Sequence, residues 1–172
     1  STDGTYKYLT SFIDPRFCTV VRKLGRRGKA FSLVQGFTLA RGDVLVMIDA
    51  DMQYPPSAIP EMLKKLNEAD IVIADRKQFN AGNFRKFLSK SFRYGFGKLL
   101  FGLSADVQSG MKVFKREVWE TIRFIPSSGW TFDLEFLHKA RFAGFTMKNH
   151  KIVFASRRHD ASKVSFLRQS LE

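Results

Sequence analysis

Asp49 and Asp51 stand two residues apart at the end of an unbroken apolar run, Val44-Leu45-Val46-Met47-Ile48, and Gln53 follows at the same spacing. On an extended backbone, residues two apart point to the same side. Two carboxylates held that close repel each other unless a cation stands between them. Their oxygens and the Gln53 amide oxygen are hard donors, suited to Mg²⁺ or Mn²⁺. The run before them predicts a strand buried on both faces. The carboxylates would then lie at its carboxyl end, where open α/β sheets bind ligands. A D-x-D by itself is also what an acidic turn after a strand looks like, so its surroundings decide.

Those surroundings alternate. Thr5 belongs to a polar opening, Ser1-Thr2-Asp3-Gly4-Thr5, suited to capping a helix over Tyr6 to Phe12 that Asp14-Pro15 closes. Phe17 to Val21 reads as a strand, and Arg22, Lys23, Arg26, Arg27 and Lys29 follow around Gly25 and Gly28. That basic stretch is either a solvated loop or a phosphate-facing one leading into a helix from Lys29 to Ala40. Gly42 stops this helix before the central strand. Pro55-Pro56-Ser57 starts the next helix, whose Ile59, Met62, Leu63 and Leu66 share a face. A second strand, Ile71 to Ala74, ends in Asp75-Arg76. Such alternation predicts an α/β fold with a parallel sheet and right-handed crossovers.

Further on, Phe84 to Leu103 reads as an amphipathic helix, with Phe84, Leu88, Phe92 and Leu99 opposite Lys86, Lys90 and Arg93. That pattern suits either a membrane surface or packing on its own domain. A turn at Asp106-Val107-Gln108-Ser109-Gly110 precedes a short strand, Met111 to Phe114, and a helix, Arg116 to Arg123. Another helix opens at Trp130 and runs to about Ala143, with Asp133 and Glu135 near its start, where acids also compensate the helix dipole. Phe145 to Phe154 forms the last strand, and a basic tail from Ser156 to Lys163 follows.

The chain's 172 residues, 44% of them hydrophobic, suit one domain with a core. A formal net charge of +13 predicts anionic partners: nucleic acid, an acidic membrane face or phosphorylated substrates. The one cysteine, Cys18, lies in an apolar run and is expected to be a buried thiol, with no disulfide framework. No apolar run of spanning length and no leader pattern is visible, so no crossing of a bilayer is expected.

Taken in order, these stretches resemble the inverting GT-A glycosyltransferases of family 2, in the branch that makes dolichyl- or polyprenyl-phosphate sugars. Ser1 to Thr5 is similar to the end of that family's D-D-G-S-T-D-G-T loop. Gly28-Lys29-Ala30, Gly36 and Ala40-Arg41-Gly42-Asp43 resemble its G-K-x-x-A…G…A-x-G-D segment, with slightly altered spacing. Asp49-Ala50-Asp51-Met52-Gln53-Tyr54-Pro55-Pro56 matches D-A-D-L-Q-x-P-P. Asp106 to Lys112 resembles D-x-Q-x-G-F-K, and Phe132-Asp133-Leu134-Glu135 and Ser162-Lys163 resemble the F-D-x-E and late S-K signatures. The family normally begins with two further strands that hold the nucleotide base. The chain starts inside the loop after them, so it is expected to be a partial catalytic domain, residues 1–172, with exposed sheet edges.

The resemblance implies a Rossmann-like, mostly parallel GT-A sheet flanked by helices. It implies transfer of a hexose, mannose or glucose, from a nucleotide sugar to a polyprenyl phosphate with inversion, at the cytosolic face of a membrane. Asp49, Asp51 and Gln53 would hold Mg²⁺ or Mn²⁺. Asp3, Lys29, Arg157, Arg158 and Lys163 would contact the donor, the last three as a lid. Arg76, Arg85 and Ser89 would contact the acceptor phosphate, and Asp133 and Glu135 would line the sugar pocket, with Asp51, Arg76, Asp133 and Glu135 closest to the chemistry. Polysaccharide or protein acceptors, used by other branches, and an inactive interaction module are the alternatives. A haloacid-dehalogenase phosphatase also places D-x-D after a strand, but usually with Thr or Val where Gln53 stands. A nucleic-acid binder would explain the charge but not the carboxylate pair, which repels phosphate without a metal.

Overall fold

The computed structural model describes residues 4–23, 25–77, 106–107, 109–128 and 131–155. Among these residues, five helices, α1 (Thr5–Phe12), α2 (Lys29–Leu39), α3 (Ile59–Lys65), α4 (Arg116–Ile122) and α5 (Phe132–Phe142), accompany four strands. These strands are β1 (Val44–Met47), β2 (Ile71–Lys77), β3 (Lys112–Lys115) and β4 (Met147–Val153), and a short 3₁₀ turn, Pro56–Ala58, leads into α3. The expected helix over 84–103 lies outside the described residues.

The sheet order is β1-β3-β2-β4. β2 and β4 pair in parallel, whereas β3 runs antiparallel between β1 and β2. β1, β2 and β4 therefore share one direction, as the alternation predicted, but β1 and β2 are not neighbours. Because β3 pairs antiparallel with both neighbours, it needs no crossover connection to either.

Register explains the two cores. Leu45, Phe114, Ile71 and Met147 form one cross-strand row. That face meets Ala30 and Phe37 of α2, Val118, Trp119 and Ile122 of α4, and Phe132, Phe136, Leu137 and Ala140 of α5. The opposite face presents Val72, Ala74, Val113 and Ile152 to Tyr54 and to Met62 of α3. Rings knit the first core: Phe37 lies 5.2 Å from Phe114, 5.3 Å from Trp119 and 5.9 Å from Phe132. Aromatic pairs of this kind add to the area they bury. Arg116 closes the far end of α2, donating from Nε to the Gly42 carbonyl at 2.7 Å and from Nη2 to that of Ala40 at 2.9 Å. The Ala40 carbonyl is one that a helix end leaves unpaired, and the Gly42 carbonyl belongs to the link into β1.

Three expectations need correction. β1 is not buried on both faces: it is an edge strand among the described residues, and while Leu45 and Met47 are buried, Val46 and Ile48 are each 37% exposed. Phe17 to Val21 forms no strand, because a strand exists only in a ladder and no described residue pairs with it; Phe17 is 86% exposed. Cys18, in the same stretch, is consequently exposed rather than buried. α1 likewise buries none of its residues.

At the end of the sheet away from the carboxylate pair, Asp70 staples three strands. Its carboxylate accepts from Lys115 Nζ at 2.8 Å, from the Thr146 amide at 2.9 Å and from the Thr146 hydroxyl at 2.7 Å. Lys115 first, then the Thr146 amide, lower its pKa to about 2. A carboxyl with a depressed folded-state pKa contributes stability above its unfolded pKa of about 3.9 and loses it as pH falls toward the folded value. Asp70→Asn should therefore cost about 1–2 kcal/mol at pH 7. In thermal melts, the gap from wild type should shrink between about pH 4 and pH 2.

Candidate active site

The antiparallel pairing of β1 with β3 builds the site. Met47 faces Lys112 across the ladder. Continuing that register brings the chain leaving β1 beside the chain entering β3, and Gly110 comes to lie against Asp49. The approach is so close that a Cβ on Gly110 would fall 1.9 Å from Asp49 Oδ2 and 2.4 Å from its carboxyl carbon. Glycine here is required by space. Gly110 is also fixed by its amide, which donates to the Tyr54 hydroxyl at 2.7 Å.

On its other side Asp49 meets Lys29, the first residue of α2, at 2.7 Å. Lys29 also lies 3.8 Å from Asp133, at the start of α5. Burial opposes the Lys29 charge, but Asp133 and then Asp49 outweigh it and hold the ammonium above the usual lysine range. Asp133 in turn accepts from Lys112 Nζ at 2.5 Å, and this ammonium is fully buried. Positive and negative groups thus alternate from Asp49 through Lys29 and Asp133 to Lys112.

The motif between Asp49 and Gln53 is a turn, not the extended strand end that would point both carboxylates the same way. Met52 has φ 61°, a left-handed conformation that a side chain disfavours. The Gln53 amide donates to Asp51 Oδ1 at 3.2 Å. Gln53 also donates through Nε2 to the Ala155 carbonyl at 3.1 Å, and the Ala155 amide returns a bond to the Gln53 carbonyl at 3.0 Å. This exchange pins the turn to the end of β4.

Arg76, near the end of β2, is held bidentately by Asp106, Nε to Oδ2 at 2.5 Å and Nη2 to Oδ1 at 2.9 Å. Its guanidinium lies over the Phe154 ring, 5.4 Å from the centroid, and Tyr54 packs on the same ring at 4.9 Å. Burial works against the Arg76 charge, yet Asp106 more than compensates and raises its pKa. Tyr54 links Arg76 to Asp49: its ring shares Phe154 with the guanidinium, and its hydroxyl accepts from the Gly110 amide that lies against the Asp49 carboxylate.

Of the residues expected from sequence, the structure brings together Lys29, Asp49, Asp51, Gln53, Arg76 and Asp133. Glu135 is engaged differently: its carboxylate accepts from the Ser127 amide and the Thr131 hydroxyl, bracing the loop before α5. Asp3, Arg85, Ser89, Arg157, Arg158 and Lys163 lie outside the described residues. Sequence reasoning missed Asp106, Gly110 and Lys112 as separate contributors, although the D-x-Q-x-G-F-K resemblance marks all three. It also missed Tyr54, whose signal is its position directly after Gln53.

Could this site hold a divalent cation? Among the described residues no three His, Cys, Asp or Glu side chains converge for one. The chain supplies two carboxylates in one pinned turn, and an ammonium already stands against Asp49. Hard oxygen donors next to a position that accepts positive charge fit Mg²⁺ or Mn²⁺. Mg²⁺ in particular takes one or two carboxylates and completes its shell with water and substrate phosphates.

The model of Glycosyl transferase family 2 matches residues 1–123. The chain belongs to glycosyl transferase family 2. The dolichol-phosphate mannosyltransferase of Pyrococcus furiosus is 31% identical over 157 residues, 83% of this chain and 43% of that protein. The undecaprenyl-phosphate mannosyltransferase of Micrococcus luteus is 27% identical over 177 residues, 96% of this chain and 72% of that protein. The chain thus spans less than half the length of the first relative. Glucosyl-3-phosphoglycerate synthase from Mycobacterium tuberculosis, solved with Mn²⁺ and UDP-glucose, superposes with a TM-score of 0.69 at 19% identity, over 94% of this chain and 58% of that one. At that identity the likeness establishes the fold, which is the GT-A fold expected.

Gly110→Ala tests the close approach in this family 2 chain. The added methyl must displace Asp49. Mn²⁺ affinity, read by electron paramagnetic resonance, should fall at least about tenfold, with little change in far-ultraviolet circular dichroism.

Proposed function

We propose that this chain is the catalytic part of a glycosyltransferase that moves a hexose from a nucleotide sugar to a polyprenyl phosphate with inversion. One observation carries the reading: beyond the carboxyl ends of β1 and β2, Lys29 pairs with Asp49, and Tyr54 joins the Asp49–Gly110 contact to the Phe154 ring that Arg76 covers. That arrangement offers an anionic patch for a metal beside two fixed cations, which is what a diphosphate donor and a phosphate acceptor need together. The names of the relatives from Pyrococcus furiosus and Micrococcus luteus support a polyprenyl phosphate acceptor. The complex of the synthase with Mn²⁺ and UDP-glucose supports a nucleotide-sugar donor and a metal.

Asp49, Asp51 and Gln53 would hold Mg²⁺ or Mn²⁺, which when bound neutralises charge on the departing nucleoside diphosphate. Lys29 adds a second cation at the same place. Its ammonium, paired with Asp49 in this structure, would serve the donor phosphates. Asp133 keeps it within reach. The acceptor is a phosphate with a second pKa of about 6, so it arrives already anionic and needs orientation more than deprotonation. Arg76 provides that orientation. Asp106 and the Phe154 ring lock its planar fork, leaving its remaining N–H groups to meet phosphate oxygens. Arg85 and Ser89 would complete the acceptor site, and Asp133 would bound the sugar, with Glu135 bracing the loop before α5. Arg157 and Arg158 would contact the donor. Lys163 would join them.

Among the described residues no helix is long and apolar enough to cross a membrane. Attachment to the cytosolic membrane face would rest on the basic, aromatic stretch from Phe84 to Leu103.

The deciding experiment supplies the chain with polyprenyl phosphate, Mn²⁺ and a panel of radiolabelled nucleotide sugars, then extracts the lipid. Label in the lipid phase, abolished by EDTA and reduced at least about 100-fold in Asp51→Ala, is the expected result. Label passing only to a polysaccharide or protein acceptor would overturn the lipid assignment, and no transfer at all would overturn the enzymatic one. Arg76→Lys keeps the charge but loses the fork. It should raise the acceptor KM about tenfold while leaving the donor KM unchanged.

A further inference from the structure

The least expected charge in this chain is Lys112. Its side chain is fully buried, and in its cross-strand row the neighbours on either side are Met47 and Ile73. A residue chosen for packing alone at this place would be apolar like them. Burying an ammonium is costly unless it is paired and hydrogen-bonded. Lys112 is both, with Nζ donating to Asp133 Oδ1 and to the Ser109 carbonyl, each at 2.5 Å.

Each of those two bonds leads to Asp49. Through Asp133, which lies 3.8 Å from Lys29, Lys112 governs the cation that meets Asp49 at 2.7 Å. Through the Ser109 carbonyl it anchors the turn whose next residue, Gly110, presses directly against the Asp49 carboxylate. Ser109 is itself fully buried and bonds Met111 across the same turn. One buried group therefore sets both walls of the slot that Asp49 occupies.

We propose that Lys112 is a positioning residue that fixes Asp49 for donor-diphosphate binding, acting through Asp133 and Lys29 on one side and through Ser109 and Gly110 on the other. The proposal rests on the reading of the Asp49 turn as the donor site. Lys112 itself touches neither donor nor acceptor. Its removal should weaken donor binding and leave acceptor binding alone, whereas general destabilisation would lower the active fraction without shifting either constant.

The test compares the full chain with Lys112→Met, Asp133→Asn and the double variant, titrating UDP or GDP in the presence of Mn²⁺ by calorimetry. Lys112→Met should bind at least about tenfold more weakly than wild type. The double variant should match Lys112→Met and bind more weakly than Asp133→Asn, because asparagine cuts one route and methionine cuts both. The double variant buries no unpaired ion, so it stands in if Lys112→Met fails to fold. Steady-state kinetics should show the donor KM raised and the acceptor KM unchanged. Methionine variants that bind nucleoside diphosphate as well as their lysine counterparts would overturn the proposal. A wild-type chain that binds neither nucleotide would count against the donor-site reading instead. Lys112 would then be judged by hydrogen exchange at the Gly110 amide. Exchange at least about tenfold faster in the double variant than in Asp133→Asn supports the clamp, and equal exchange refutes it.

Discussion

The site depends on one register. Because β3 runs antiparallel to β1 with Met47 opposite Lys112, the turn entering β3 is laid beside the turn leaving β1. Gly110, the residue that can tolerate contact, then meets Asp49, the residue that needs a wall. A slip by one position would put Ser109 or Met111 there, and would also send Lys112 to the opposite face of the sheet. Side-chain parity, core composition and the charged group are thus three consequences of one pairing. The aromatic core around Phe37 serves that pairing by seating α2 and α5 on the same face, so that Lys29 and Asp133 begin their helices above it.

Much of this was legible in the sequence, for local reasons. Helices announce themselves through spacing and breakers: α2, α4 and α5 lie within a residue or two of the spans read from sequence, and the 3₁₀ turn Pro56–Ala58 delays the start of α3 to Ile59. The carboxylate pair, Lys29, Arg76 and Asp133 carried motif signals as well. What escaped was non-local. Nothing in Met111-Lys112-Val113-Phe114 says that the strand inserts antiparallel between two others, or that its lysine points inward. The apolar run before Asp49 looked doubly buried because sequence does not reveal that β1 has a bare face. Phe17 to Val21 has strand composition but no described partner, and composition alone makes no ladder.

Charge is distributed at two scales. The chain as a whole carries +13, which draws anions in from a distance. Within the site, by contrast, Asp49, Asp106 and Asp133 are each matched by a cation, Lys29, Arg76 and Lys112 respectively. Long-range attraction and short-range neutrality are compatible because the pairs are part-buried and screen little to solvent. Ligand phosphates would then compete for cations that are already oriented. The Asp106–Arg76 fork shows the benefit: the arginine's geometry is settled by the protein before any phosphate arrives.

The turn from Asp49 to Gln53 is tied at its exit in both directions to Ala155 and is braced inside by the bond from the Gln53 amide to Asp51. Loops that bind ligands usually lose conformational freedom on binding, and that loss subtracts from affinity. Here the ordering is accomplished when the sheet forms, including the unfavourable left-handed Met52. The thermodynamic signature should follow: association at this turn would carry little entropy of loop ordering. Differences in affinity among ligands would then reflect their contacts alone rather than the protein's readiness to receive them.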